Sequence, residues 1–195
     1  MSISKNELLE FIRAHRRGVI STHAIDDSPQ AALVSFVVND QLELFFDSFD
    51  NSRKVANLRR DPRIAFVIGG QAPGDERTVQ YEGRVDTPQG ADLERLKSLY
   101  FSVHPDGWRR SQLPGLGYFR VRPRWIRYTN LNALPAVVVH FEGEMLRPAA
   151  GSDTEQRAAL PYSPTGQPWQ PHVESPRILH GFVSTQSSPE GKDAG

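Results

Sequence analysis

The segment Asp47-Ser48-Phe49-Asp50-Asn51-Ser52-Arg53-Lys54 holds the residues most able to do chemistry. Its residue types predict a strand ending near Asp47, a polar loop, and a helix from Arg53 to Arg60. Asp50-Asn51-Ser52 supplies N-cap residues for that helix and Asp61-Pro62 stops it. The first turn of such a helix has N–H groups without intrahelical acceptors and the positive end of the helix dipole, which together suit a phosphate. Ser52 adds a hydroxyl donor, Arg53 a planar fork and Lys54 a point charge. A capped surface helix with ordinary basic residues carries the same letters, and residue types alone leave both readings open.

Other chemistry is thin. The chain has no cysteine, which excludes thiol catalysis, zinc–thiolate sites and iron–sulfur clusters. His15 stands among charged helix neighbours. His104 precedes Pro105 at a helix end, where a cation suits the dipole. Neither belongs to a metal-ligand spacing. His140, His172 and His180 fall in or near an irregular C-terminal stretch, and His23, closing the first strand, is the histidine best placed to face a ligand. Trp108-Arg109-Arg110 sits in a Pro/Gly-rich stretch over 105–117 that reads as a surface loop, or as a lid over a ligand. No Ser-His-Asp or paired-carboxylate arrangement stands out.

Lysine plus arginine equals aspartate plus glutamate, 23 each, so the formal charge is zero. That balance argues against a duplex nucleic-acid partner. The basic residues are nevertheless clustered: Arg53, Lys54, Arg59, Arg60 and Arg63 in one group, Arg120, Arg122, Arg124 and Arg127 in another. Two solvated basic faces, or one small anionic ligand, would account for them. No stretch approaches the roughly 20 apolar residues of a membrane span, and residues 1–17 lack the apolar core of a signal peptide. The expected location is the cytoplasm.

The elements that must position these residues follow from pattern. Ser4-Lys5-Asn6-Glu7 has the capping-box form ahead of Leu8, Leu9, Phe11 and Ile12, predicting an amphipathic helix over 4–16. Strands are expected at 18–23, 31–38, 42–47, 63–68 and 78–85, with a last pair at 116–121 and 125–128 split by Pro123. The 31–38 strand is nearly all apolar and should be buried on both faces. Gly83 marks a bulge or a close backbone approach. A second long helix runs from Pro88 to about Val103. Six or seven short antiparallel strands with a few peripheral helices make a mainly β, α+β chain: a small split barrel rather than a doubly wound sheet. Residues 1–146 form this domain. Residues 147–195, rich in Pro, Gly, Ser and Gln, read as an extended or disordered tail.

The segment Ser52-Arg53-Lys54, followed by Asn57-Leu58 and Pro62-Arg63, resembles the pyridoxamine 5′-phosphate oxidase superfamily of FMN-binding split barrels. The likeness extends over roughly residues 7–130. It takes in the Gly-led strand ending in Thr22, the apolar strand Ala31–Val38, the Phe45–Phe46 pair and Tyr81-Glu82-Gly83-Arg84-Val85. The resemblance implies that Ala32, Leu33, Val34 and Ser35 line the isoalloxazine edge through their backbone. It implies that Phe46 and Asp47 end near the flavin and that Ser52, Arg53 and Lys54 grip its phosphate. Thr78 falls where the oxidase proper has a flavin-contacting Gln. A homodimer with FMN between subunits and a small-molecule substrate is implied, and the same barrel in related proteins holds deazaflavin or haem instead. Two departures stand out. Val37 occupies the place of a basic residue, and the C-terminal Arg-Leu-His-Asp-Arg run that recognises pyridoxine phosphate has no counterpart. An oxidoreductase acting on some other small molecule is therefore the implied activity, with a non-catalytic flavin- or haem-binding stress module as the alternative.

Overall fold

The computed structural model of the chain describes residues 2–70 and 72–147. The tail expected over 147–195 lies, but for Arg147, outside the described residues. Eight strands form one antiparallel sheet that curls into a split half-barrel. Helix α1 (Lys5–Arg13) begins at the anticipated capping box: Ser4 Oγ accepts from the Glu7 N–H at 3.2 Å, and the Ser4 N–H donates to Glu7 Oε2 at 2.7 Å. Its face of Leu8, Leu9, Phe11 and Ile12 closes one end of the barrel.

Strand β1 (Arg17–His23) pairs on one side with β2 (Pro29–Ser35) and on the other with β5 (Arg63–Gly69). Phe36 then turns the chain into the short β3 (Val37–Val38), which pairs with β4 (Leu44–Phe49). The single doubly buried strand expected over 31–38 is therefore two strands. β2 lies at the open edge of the sheet, and no described helix covers its outer face, so Leu33 is 58% exposed.

Helix α2 (Arg53–Arg60) has the anticipated bounds and buries Val55 and Leu58 at the other end of the barrel. β6 (Arg77–Asp86) pairs with β5 and with the long β7 (Leu116–Asn130). Pro123 does not split β7. It falls at a register shift opposite Gly83, on a stretch where the other edge of β7 is unpaired: β4 pairs only as far as Val121, and β8 (Val137–Glu142) begins at Trp125. A residue without an N–H is tolerated at such a bulge. Gly83 makes the close approach expected of it, since a Cβ there would stand 2.5 Å from the Arg122 carbonyl oxygen.

Helix α3 (Gly90–Val103) lies across the outer face of β3 and β4, where Val37, Phe45, Leu96 and Tyr100 form a second apolar cluster. The stretch read as a loop around Trp108 contains helix α4 (Asp106–Ser111). Its first turn packs tightly: a Cβ on Gly107 would come within 3.1 Å of the Tyr100 ring. Among the described residues no helix is long and apolar enough to cross a membrane.

Candidate functional site

The sequence-predicted phosphate residues sit where the barrel splits. β2 and β4 run side by side near β3, then part: β2 goes on to pair with β1 alone, and β4 with β7. The two come into contact without a hydrogen-bonded register. Helix α2 follows β4 into this opening and is tied to the far side by polar contacts. Asn57 Nδ2 donates to Thr22 Oγ1 and to Gln30 Oε1, both at 3.0 Å, and Arg53 Nε donates to Gln30 Oε1 at 3.2 Å. Arg60 anchors the last turn on the His23 carbonyl at 2.6 Å.

At the start of α2, Ser52 is the N-cap residue by backbone conformation, yet its side chain makes no capping bond. Its hydroxyl instead lies 3.1 Å from that of Ser48, which is buried at the end of β4. Lys54 is half-buried and engages no hydrogen bond or ion pair among the described residues. Uncapped helix N–H groups, two adjacent hydroxyls and an uncommitted ammonium are a donor set for a phosphate dianion. The open edge of β2, which carries Ala32, Leu33, Val34 and Ser35, offers backbone donors and acceptors beside it. These features fit a phosphate-bearing ring ligand such as a flavin nucleotide, with Ser52, Arg53 and Lys54 on the phosphate and the β2 main chain along the ring.

Not every predicted residue joins this group through its side chain. Phe46 is fully buried and stacks on Phe119 at 5.4 Å, and Val34 is in the core, so neither side chain is open to a ligand. Asp47 points away from the barrel interior, to α3 and α4. Arg110 Nε and Nη2 donate to its Oδ2 at 3.1 and 3.0 Å, and Arg110 Nη2 also donates to Tyr100 Oη at 2.9 Å. Burial, and then the nearby Asp47 carboxylate, push the Tyr100 phenol well above its ordinary range, so it stays neutral. Thr78 stands on the outer sheet face at the α1 end of the barrel. It is three strands from β2 and level with the Ser35 end, roughly 14 Å across and 17 Å along from Gln30. A single chain does not bring Thr78 to Ser52 and Lys54.

The histidines divide similarly. His104 Nε2 donates to the Phe36 carbonyl at 2.9 Å, and burial lowers its pKa, so it is held neutral rather than as a helix-end cation. His15 is engaged through Nδ1 with the Phe11 carbonyl. His140 belongs to β8, not to an irregular tail. His172 and His180 lie outside the described residues. Among the described residues no group of three metal-ligating side chains occurs. One cavity, of about 240 Å³, adjoins the β4–α2 loop through Asp50 and Arg59 and is walled by Leu93, Leu116 and Phe119. A shallower one of about 460 Å³ lies at the loop ends around Pro73, Asp75 and Arg77, away from α2.

The sequence profile of the pyridoxamine 5′-phosphate oxidase family matches residues 4–130. The chain belongs to that family. No curated protein matches the sequence. Among solved structures, a haem-binding protein from Mycobacterium smegmatis superposes with a TM-score of 0.65 at 18% identity, over 75% of this chain and 61% of that one. The chain thus spans about three-fifths of the length of the mycobacterial protein. A pyridoxamine 5′-phosphate oxidase-related FMN-binding protein from Nostoc punctiforme gives 0.55 at 13% identity, covering 73% and 90%. The haem storage protein HutZ from Vibrio cholerae gives 0.55 at 16%, covering 64% and 92%. At such identities the likeness establishes the split-barrel fold of the family, and relatives of that fold bind FMN or haem.

Proposed function

We propose that the chain is an FMN-binding oxidoreductase acting on a small molecule other than pyridoxamine phosphate, working as a cytoplasmic homodimer with the flavin between subunits. The observation that carries this reading is the start of α2, where Ser52 leaves its cap unmade and Lys54 is uncommitted beside the open edge of β2. The flavin would supply the redox chemistry. Ser52, Arg53 and Lys54 would hold its phosphate, and the β2 main chain would orient the ring. The wide in-chain separation of Thr78 from α2 supports a dimeric site, since Thr78 reaches such a ligand only from a second copy.

Haem is the second reading, favoured by the M. smegmatis and V. cholerae neighbours. The polar, phosphate-suited mouth at α2 favours the nucleotide. Deazaflavin presents a phosphate to the same helix end and is the third. The absorption spectrum of the purified full chain tests the proposal: flavin bands near the visible blue are expected. A Soret band would replace flavin by haem, and a colourless protein that takes up no added FMN would contradict the reading.

A further inference from the structure

Arg127 occupies the middle of the outer face of β7. Gln80 of β6 stands opposite it on one side and His140 of β8 on the other. Trp125, two residues earlier on the same face, meets the His140 ring edge to face at 5.3 Å and 71°. The carboxylates nearest in register, Glu82 and Glu142, stand opposite Trp125 rather than Arg127. Among the described residues no ion pair engages the guanidinium, and its Nε, closed off from solvent, has no acceptor. Buried polar groups in folded proteins are nearly always paired, and a donor left alone is costly. A half-buried guanidinium that its own fold gives no acceptor among the described residues matches an oxyanion brought from outside.

The same cross-strand row continues through Gln80 to Val67, Val19 and Leu33, in direct register on β5, β1 and β2. These three apolar side chains are 48%, 41% and 58% exposed. Val67 is two strands from Arg127, about 10 Å. An apolar strip leading to a cationic end suits a small ligand with an apolar body and an anionic head.

We propose that Arg127 is the anion-recognition residue of a subsite on this face, which takes a small molecule with an apolar body and a carboxylate or phosphate head. Its role as a substrate subsite rests on the flavin reading above: Thr78, the residue implied to contact the ring, is the diagonal neighbour of Arg127, because Thr78 pairs with Thr129 and Gln80 with Arg127.

Trp125 reports on the subsite without any cofactor. In the FMN-free full chain carrying Trp108→Phe and Trp169→Phe, titration with benzoate or phenyl phosphate should quench Trp125 saturably, while neutral benzamide should not. Arg127→Met should weaken the anion response at least tenfold and leave the thermal midpoint unchanged or higher, since it removes an unsatisfied donor. A preference between benzoate and phenyl phosphate names the head group. A response equal for benzamide, unchanged in Arg127→Met, or absent for both anions would overturn the subsite. The same titration of FMN-loaded chain should shift the flavin bands; anion binding with an unmoved flavin spectrum would overturn the substrate role. A chain that binds the anions but takes up no FMN would count against the flavin reading alone.

Discussion

Under the flavin reading, Ser52 and Lys54 would matter for what they do not do in the fold. A side-chain cap on α2 would fix the Ser52 hydroxyl on a helix N–H, and an ion pair would neutralise Lys54; neither occurs among the described residues. Helix α2 was legible because cap residues and a Pro stop act within one or two turns of helix. Asp47 was not fully legible. Its partner Arg110 is 63 residues away, and no local pattern announces that a carboxylate at a strand end will clamp a helix. Gly83 was legible as a tight place, and its environment gives a direct test. A methyl there would stand 2.5 Å from the Arg122 carbonyl oxygen and 2.7 Å from Val121 Cγ1. Gly83→Ala is expected to destabilise the fold by about 1–3 kcal/mol, the usual cost of forcing atoms into a packed interior. Chemical denaturation measures it, and an unchanged midpoint would show that the bulge relaxes freely.

At the scale of elements, short-range rules found α1, α2, α3 and β1, whose signals are periodicity and punctuation. They failed where pairing decides. β7 runs through Pro123 because β6 meets it there at a register shift while the edge shared by β4 and β8 is unpaired at that position, and β8 exists because β7 offers the second half of that edge. Helix α4, six residues long, is held by contacts of Gly107 and Arg110 with Tyr100 and Asp47 more than by its own propensity. The junction of α3 with α4 has a pH signature. Burial lowers the pKa of His104 from its ordinary 6.5. Near pH 6.5 the unfolded chain therefore binds a proton that the folded chain refuses, so the unfolded state carries more protons and stability falls as the pH drops through this window. Below the folded pKa this dependence ends. His104→Gln keeps a donor for the Phe36 carbonyl and should flatten the slope of stability between pH 6.5 and the lower folded value. An identical slope in both proteins, by thermal melts across pH 4.5–7.5, would show that His104 is not its source.

For the whole molecule, the split barrel supplies two distinct surfaces: a mouth lined by α2 and the β2 edge, and an uncovered outer sheet face bearing Thr78 and Arg127. A second copy would bring the outer face of one chain to the mouth of the other. Composition and pattern revealed the barrel, but not that Thr78 lies far from α2, because separation across a sheet depends on strand order and register. Recognition of pyridoxamine phosphate needs a second set of phosphate donors, and the family's Arg-Leu-His-Asp-Arg run is missing. Loss of a charged bidentate contact removes several kcal/mol of transition-state binding. FMN-loaded protein is therefore expected to form pyridoxal phosphate at far below 1 per second, the low end of the ordinary enzyme range of about 1–1000 per second. Turnover near that value in a direct oxidase assay would show that other arginines replace the run.

The claim on which the rest depends is that α2 begins a phosphate site. Titrating FMN into apo-protein and following the flavin fluorescence measures it directly, for the native chain and for Lys54→Ala side by side. Saturable binding by the native chain is predicted, weakened in the variant by about 1.5–3 kcal/mol, the range for a hydrogen bond to a charged group, with the fold intact by circular dichroism. Equal affinity in the two proteins, or no binding by either, would contradict the account.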